Sequence, residues 1–141
     1  MAIYITDLRH IRSYDVDLRF AIMRSFSGMD KVTQLAELSP SWRTFKLYHD
    51  LANAGNWNKN TFNEQYLPNF LMDMRQPDAV EALGKVLHFY KIGLNVALAC
   101  CCPIEDLCHR SVVAGILKGL GCNVITDTGT DYIQYYDMWR L

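Results

Sequence analysis

Apolar positions change their spacing several times along the chain. Residues 2–6 form a short apolar, β-branched run, and residues 18–23 form another after the polar turn at 13–17, so each predicts a strand. Helical spacing takes over from residue 39. Ser39 followed by Pro40 fits an N-cap with proline at the first helical position, after which Trp42, Phe45, Tyr48 and Leu51 recur at threefold spacing until Gly55. A second run places Phe62, Tyr66, Phe70 and Met74 at fourfold spacing, with Pro68 expected to kink or break it. Pro77 opens a third helix with a stripe at Val80, Leu83, Leu87 and Tyr90, and Gly93 supplies its left-handed stop.

From residue 94 the pattern changes again. Residues 94–100 are almost continuously apolar, as a strand buried on both faces must be, and a polar loop at 103–107 follows. Val112, Val113, Ile116, Leu117 and Leu120 then mark a helix closed by Gly121, and residues 122–126 return to strand. Strand, helix and strand in this length predict a βαβ unit with a parallel pair. The expected fold is α/β: one small, three-layer-like domain over residues 1–141, with a mainly parallel sheet and flanking helices. No internal repeat interrupts it, and the Asn-rich stretch at 53–63 is too short and too aromatic, with Trp57 and Phe62, to be a linker. Tyr132, Tyr135, Tyr136 and Trp139 in the tail 128–141 are spaced to dock on the core or on a second subunit.

Composition narrows the partners. The chain has 141 residues, half of them apolar, and a net charge of -1, so no global positive field draws it onto nucleic acid. No apolar run nears the roughly 18 residues of a membrane-spanning helix. Five cysteines, an odd number, with Cys100, Cys101 and Cys102 adjacent and no signal-peptide pattern ahead of them, lead to the expectation of a reduced, cytoplasmic compartment.

The segment from Cys100 to Ser111 can carry chemistry, because ligands of open α/β sheets gather beyond the carboxyl ends of strands, at the N-termini of the following helices. Arg110 in the first turn opposes the helix dipole, a cost that a bound anion offsets, while Ser111 adds a hydroxyl and His109 a titratable imidazole. The alternative is structural, with Arg110 paired to Glu105 or Asp106 and His109 satisfying a carbonyl. Cys108 beside His109 and Arg110 is placed to act as a thiolate nucleophile, although a phosphatase-type loop is absent. Cys100, Cys102, Cys108 and His109 are four soft ligands within ten positions. There is no C-x-x-C knuckle, however, and Cys108 and His109 would have to reach one ion from successive helical positions, so no metal is expected. Cys101 and Cys122 are expected in the core. GxGxxG, P-loop, HExxH and GxSxG motifs are missing.

The stretch A-L-A-C-C-C-P-I-E-D-L-C-H-R-S-V-V-A-G-I-L, residues 97–117, resembles the C-terminal signature of the domain of unknown function 488 (DUF488) family. Upstream, Leu38-Ser39-Pro40-Ser41 followed by Trp57, Phe62 and Tyr66 is similar to the YeaO-like branch of that family, and Arg24 falls where the branch has an arginine after its second strand. The chain departs from the pattern at Cys102, where the family has glutamate; Glu105 is the substitute available from the loop. The resemblance implies an α/β fold with a polar site built from the strand-end arginine, Cys100, Cys108, His109 and Arg110, and a link to nucleotide or nucleic-acid metabolism.

Together these readings lead us to expect a pocket for an anionic, nucleotide-like small molecule. Arg110, Ser111, Arg24, Arg9, Cys100 and Glu105 are the anticipated binding residues, and Cys108 and His109 the anticipated nucleophile or acid–base pair for hydrolysis or group transfer, without a cofactor. The alternatives are a nucleotide-binding or sequestering module, in which Tyr14, Trp42, Trp57 or the tail tyrosines stack a base, and an interaction subunit dimerising through its aromatic tail.

Overall fold

A computed structural model describes residues 1–140. Five strands, β1 (Ile3–Asp7), β2 (Leu18–Ala21), β3 (Thr33–Gln34), β4 (Val96–Cys100) and β5 (Val124–Thr126), pair in the order β3-β2-β4-β1-β5. Every pairing is parallel; Ile5, for example, lies opposite Leu98 on one side and Thr126 on the other. The central strand β4 is buried at all five positions, which accounts for its unbroken apolar sequence.

Alternation along β4 separates two apolar layers. Val96, Leu98 and Cys100 join Ile3, Ile5, Phe20 and Ile22 beneath the helices. Ala97 and Ala99 point the other way, where Tyr4, Leu8, Ile11, Val16, Met29 and Val32 cover them. None of these covering residues belongs to a long helix, so the sheet's second face is closed by segments between strands, and alanine suits their close approach.

The helices are α1 (Trp42–Asn53), α2 (Lys59–Thr61), α3 (Leu67–Met74), α4 (Pro77–Lys91), α5 (His109–Gly119) and α6 (Gln134–Trp139). The cap of α1 is Ser41, not Ser39: the Ser41 hydroxyl accepts from the Thr44 N–H at 3.3 Å, while Ser39 donates to the Ala36 carbonyl in the preceding 3-10 turn. Pro40 therefore precedes the helix instead of opening it. Phe62, Tyr66, Phe70 and Met74 are all buried, as their spacing predicts. The expected disturbance near Pro68 takes the form of a π turn over Phe62–Tyr66, in which the Leu67 N–H reaches back to Phe62, and α3 starts beyond it with the proline in its first turn.

In α4 the buried face is Ala79, Ala82, Leu83 and Val86. Val80 is 45 % exposed, and Leu87 and Tyr90 only flank the core, because alanines, not bulk, mark where this helix approaches the sheet. β4, α5 and β5 form the expected strand, helix and strand, but β1 lies between the two strands, so they are parallel without being neighbours. The tail folds back on its own chain: Tyr132 and Tyr135 are buried, and Gly115 and Gly119 of α5 leave room for Tyr132, Tyr135 and Tyr136. Among the described residues no helix is long and apolar enough to cross a membrane.

Candidate functional site

β2 and β4 end side by side, and their carboxyl ends, together with the start of α5, enclose one cluster of reactive side chains. β4 delivers Cys100, and Cys102 follows two residues on; their sulfurs are 3.6 Å apart. Cys108 is the N-cap of α5 and has an extended backbone (φ -114°, ψ 145°), which turns its side chain toward the first helical residue, His109. The His109 Nδ1 atom is 3.8 Å from both the Cys100 and the Cys108 sulfurs. On the opposite side of the ring, Nε2 lies 2.6 Å from the Ile22 carbonyl at the end of β2. A carbonyl can only accept, so Nε2 carries a proton and donates it there.

His109 and Arg110 are buried, as are Cys100 and Cys108. The Arg110 guanidinium donates from Nη1 to the Cys102 carbonyl at 2.7 Å, and its Nε has no partner among the described residues. Neither expected carboxylate pairs with it. Asp106 faces Lys59 at 3.3 Å, and Glu105 accepts from the Asp127 N–H, the Thr128 hydroxyl and the Tyr132 hydroxyl, the last at 2.7 Å. Ser111 is fully buried and donates its hydroxyl back to the Cys108 carbonyl. Arg9 sits beyond β1, exposed and tied to Asp7.

The sulfurs and charges act on one another. Hydrogen bonds from the Cys101 and Cys102 thiols hold the Cys100 thiol down at about 5, against the effect of burial. Burial opposes charge on His109, yet the neighbouring Cys100 and Cys108 sulfurs outweigh it and raise the imidazole well above its usual range. Burial likewise opposes charge on Arg110, whose cation is favoured by Cys108, Cys100 and Cys102. Burial raises the Tyr48 and Tyr66 hydroxyls, so both remain neutral donors.

A cavity of about 320 Å³ opens onto this cluster. Cys100, Cys102 and His109 form its floor, Phe45, Tyr48, Trp57 and Tyr66 its wall, and Arg24 adds a guanidinium to the lining. The aromatic wall is self-supporting: Trp57 meets Tyr48 edge-on at 4.7 Å and Tyr66 at 5.2 Å between ring centroids. Arg24 donates from Nε to the Pro40 carbonyl at 2.7 Å, and its guanidinium carbon lies 5.3 Å from the Trp42 ring centroid.

Of the anticipated residues, the fold brings Arg24, Cys100 and His109 to the cavity, and packs Cys108, Arg110 and Ser111 behind that floor. Arg9 and Glu105 are not among its lining residues. Trp57 is in the wall, whereas Tyr14 hydrogen-bonds Asp127 and the tail tyrosines pack around α5. Cys101, expected in the core, is exposed because it lies one residue past the end of β4, while Cys122 is buried as anticipated. Phe45, Tyr48 and Tyr66 were not singled out as site residues from the sequence. Phe45 and Tyr48 are marked only by helical spacing, to which Tyr66 adds its place in the family resemblance, and neither signal distinguishes a ring in the core from one lining a cavity.

The family model DUF488-N3a, described as the active DUF488-N3 subclade, matches residues 3–121. No curated protein and no solved structure matches the chain.

Proposed function

The chain belongs to the DUF488 family, and from that premise we propose that its cavity takes an anionic, nucleotide-like small molecule and supports hydrolysis or group transfer on it. The observation that carries this reading is the meeting of three chemistries in one cavity. An aromatic wall of Tyr48, Trp57 and Tyr66 offers faces and edges to a base, Arg24 offers a delocalised cation to a phosphate or carboxylate, and a thiol–imidazole floor lies beneath them. The position beyond the carboxyl ends of parallel strands is the usual one for ligands of α/β sheets. The word "active" in the family description supports turnover. Cys100, Cys101 and Cys102 all line the cavity, and of these Cys100 is the one whose thiol is held low.

A second reading, binding without turnover, is favoured by His109. Its Nε2 is committed to the Ile22 carbonyl, which leaves the ring less free to exchange protons with a ligand. One experiment separates the two. A panel of nucleotides and nucleotide fragments is screened for thermal stabilisation and, in parallel, for product formation. Stabilisation with product supports the enzyme, and stabilisation alone supports the binding module. Arg24→Ala is expected to weaken binding by about 1.5–3 kcal/mol, the loss of a charge-assisted hydrogen bond. Unchanged affinity in that variant would place the ligand elsewhere.

A further inference from the structure

We propose that Cys100, Cys102, Cys108 and His109 form a four-ligand site for a zinc ion at the floor of the cavity. This inference does not depend on what the cavity above it binds, but an ion held by four protein ligands takes Cys100 and His109 out of any covalent or acid–base step, so it goes with the binding reading of that cavity. The four donor atoms, three sulfurs and one imidazole nitrogen, all lie within 4.8 Å of one another. With zinc–sulfur bonds of about 2.3 Å and zinc–nitrogen bonds of about 2.0–2.1 Å, a tetrahedron has sulfur–sulfur edges near 3.8 Å and sulfur–nitrogen edges near 3.6 Å. The separations found are 3.6 Å between Cys100 and Cys102, and 3.8 Å from each of Cys100 and Cys108 to His109. The other three donor pairs also lie within 4.8 Å, so the set is compact enough to surround one ion.

Three further observations point the same way. First, the imidazole is oriented as a ligand: its Nε2–H is fixed by the Ile22 carbonyl, so Nδ1, aimed at the sulfurs, is the nitrogen that gives up its proton to a metal ion and then offers the lone pair. Metal-bound histidines almost always have such an outer partner. Second, the sequence objection to a shared ion disappears, because Cys108 is not helical. Its extended N-cap conformation lets it and His109 converge from consecutive positions. Third, Arg110 is 2 % exposed, has an unpartnered Nε, and forms no ion pair with a carboxylate among the described residues. Three thiolates and one zinc ion leave a net charge of minus one, which is the counter-charge a buried guanidinium requires.

Four protein ligands close the coordination shell, so the ion has a structural role. It would cross-link the end of β4, the loop after it and the start of α5, and through Ile22 it would hold the end of β2.

The test is a cobalt titration of reduced, metal-stripped protein, followed optically, with folding monitored by far-ultraviolet circular dichroism. The expected result is one cobalt per chain, with thiolate-to-metal charge-transfer absorption and the intense visible bands of a tetrahedral site, displaced by one equivalent of zinc. Cys102→Ser, at a half-exposed position, should weaken binding by more than about tenfold, the least that losing even an outer-sphere partner costs. Cys122→Ser, away from the cluster, should bind like the parent. Absence of the tetrahedral spectrum in the folded parent protein would overturn the proposal, and so would equal affinity in Cys102→Ser and Cys122→Ser.

Discussion

Glu105 shows how a single side chain can be chemically conspicuous and yet serve the scaffold. Its residue type and its place in the loop beside Cys108 and His109 suggest an acid–base or anion-site role. In the fold it is 4 % exposed, and its carboxylate accepts from one backbone N–H and two hydroxyls of the segment after β5. A buried carboxylate is tolerated when its oxygens are satisfied in this way. Glu105→Ala leaves the Tyr132 hydroxyl and the Asp127 N–H without an acceptor, and is expected to lower unfolding free energy by about 2–4 kcal/mol in urea denaturation. Glu105→Gln retains one acceptor oxygen and should lose less. Equal losses in the two variants would mean that packing, not hydrogen bonding, holds this position. Arg110 belongs with Glu105 in this respect: the sequence identifies a cation at a helix start, and the fold places that cation behind the cavity floor, with the Cys102 carbonyl as its partner.

At the scale of elements, α5 is the piece on which the rest is assembled. Its first residue is His109, its middle packs on the sheet, and its outer side receives the tail. Gly115 and Gly119 make that last contact possible. A Cβ at Gly115 would come within 2.0 Å of the Tyr132 carbonyl oxygen, and one at Gly119 within 1.9 Å of the Tyr136 ring. Alanine in a helix interior is intrinsically favoured over glycine by about 1 kcal/mol. Even so, Gly115→Ala is expected to destabilise by about 1–3 kcal/mol, because the obstacle is backbone and cannot rotate away. A thermal melt of that variant at or above the parent's would show that the tail does not pack here. The aromatic spacing of the tail is legible in the sequence. Its choice of α5 as partner is not, because glycine carries no hydrophobic signal.

The whole molecule is held together across its length, from strands at residue 3 to tyrosines at residue 135 in one apolar cluster. The family match ends at residue 121, but the core does not. Tyr132 and Tyr135 contribute to it, Trp139 donates its indole N–H to the Met74 carbonyl, and Arg75 binds the carbonyls of Met138 and Trp139. Removing residues 128–141 should therefore expose apolar surface on α5, broaden the unfolding transition and increase binding of a hydrophobic dye. A truncated chain with unchanged melting and dye binding would show that the tail is an appendage.

The sequence by itself determined the α/β class, the buried central strand, most helix positions and the segment where the chemistry sits. Those follow from local causes: the period of apolar residues, the residues that stop helices, and the continuous burial of a strand between parallel neighbours. Only the tertiary structure decided which of those reactive residues meet. Arg24 reaches the cavity because β2 and β4 are adjacent, whereas β1 separates β4 from β5. His109 turns toward three sulfurs because a carbonyl 87 positions earlier in the chain holds the other side of its ring. Spacing along a chain sets which face a side chain occupies. It does not set what stands opposite that face, and in this protein the chemistry depends on what stands opposite.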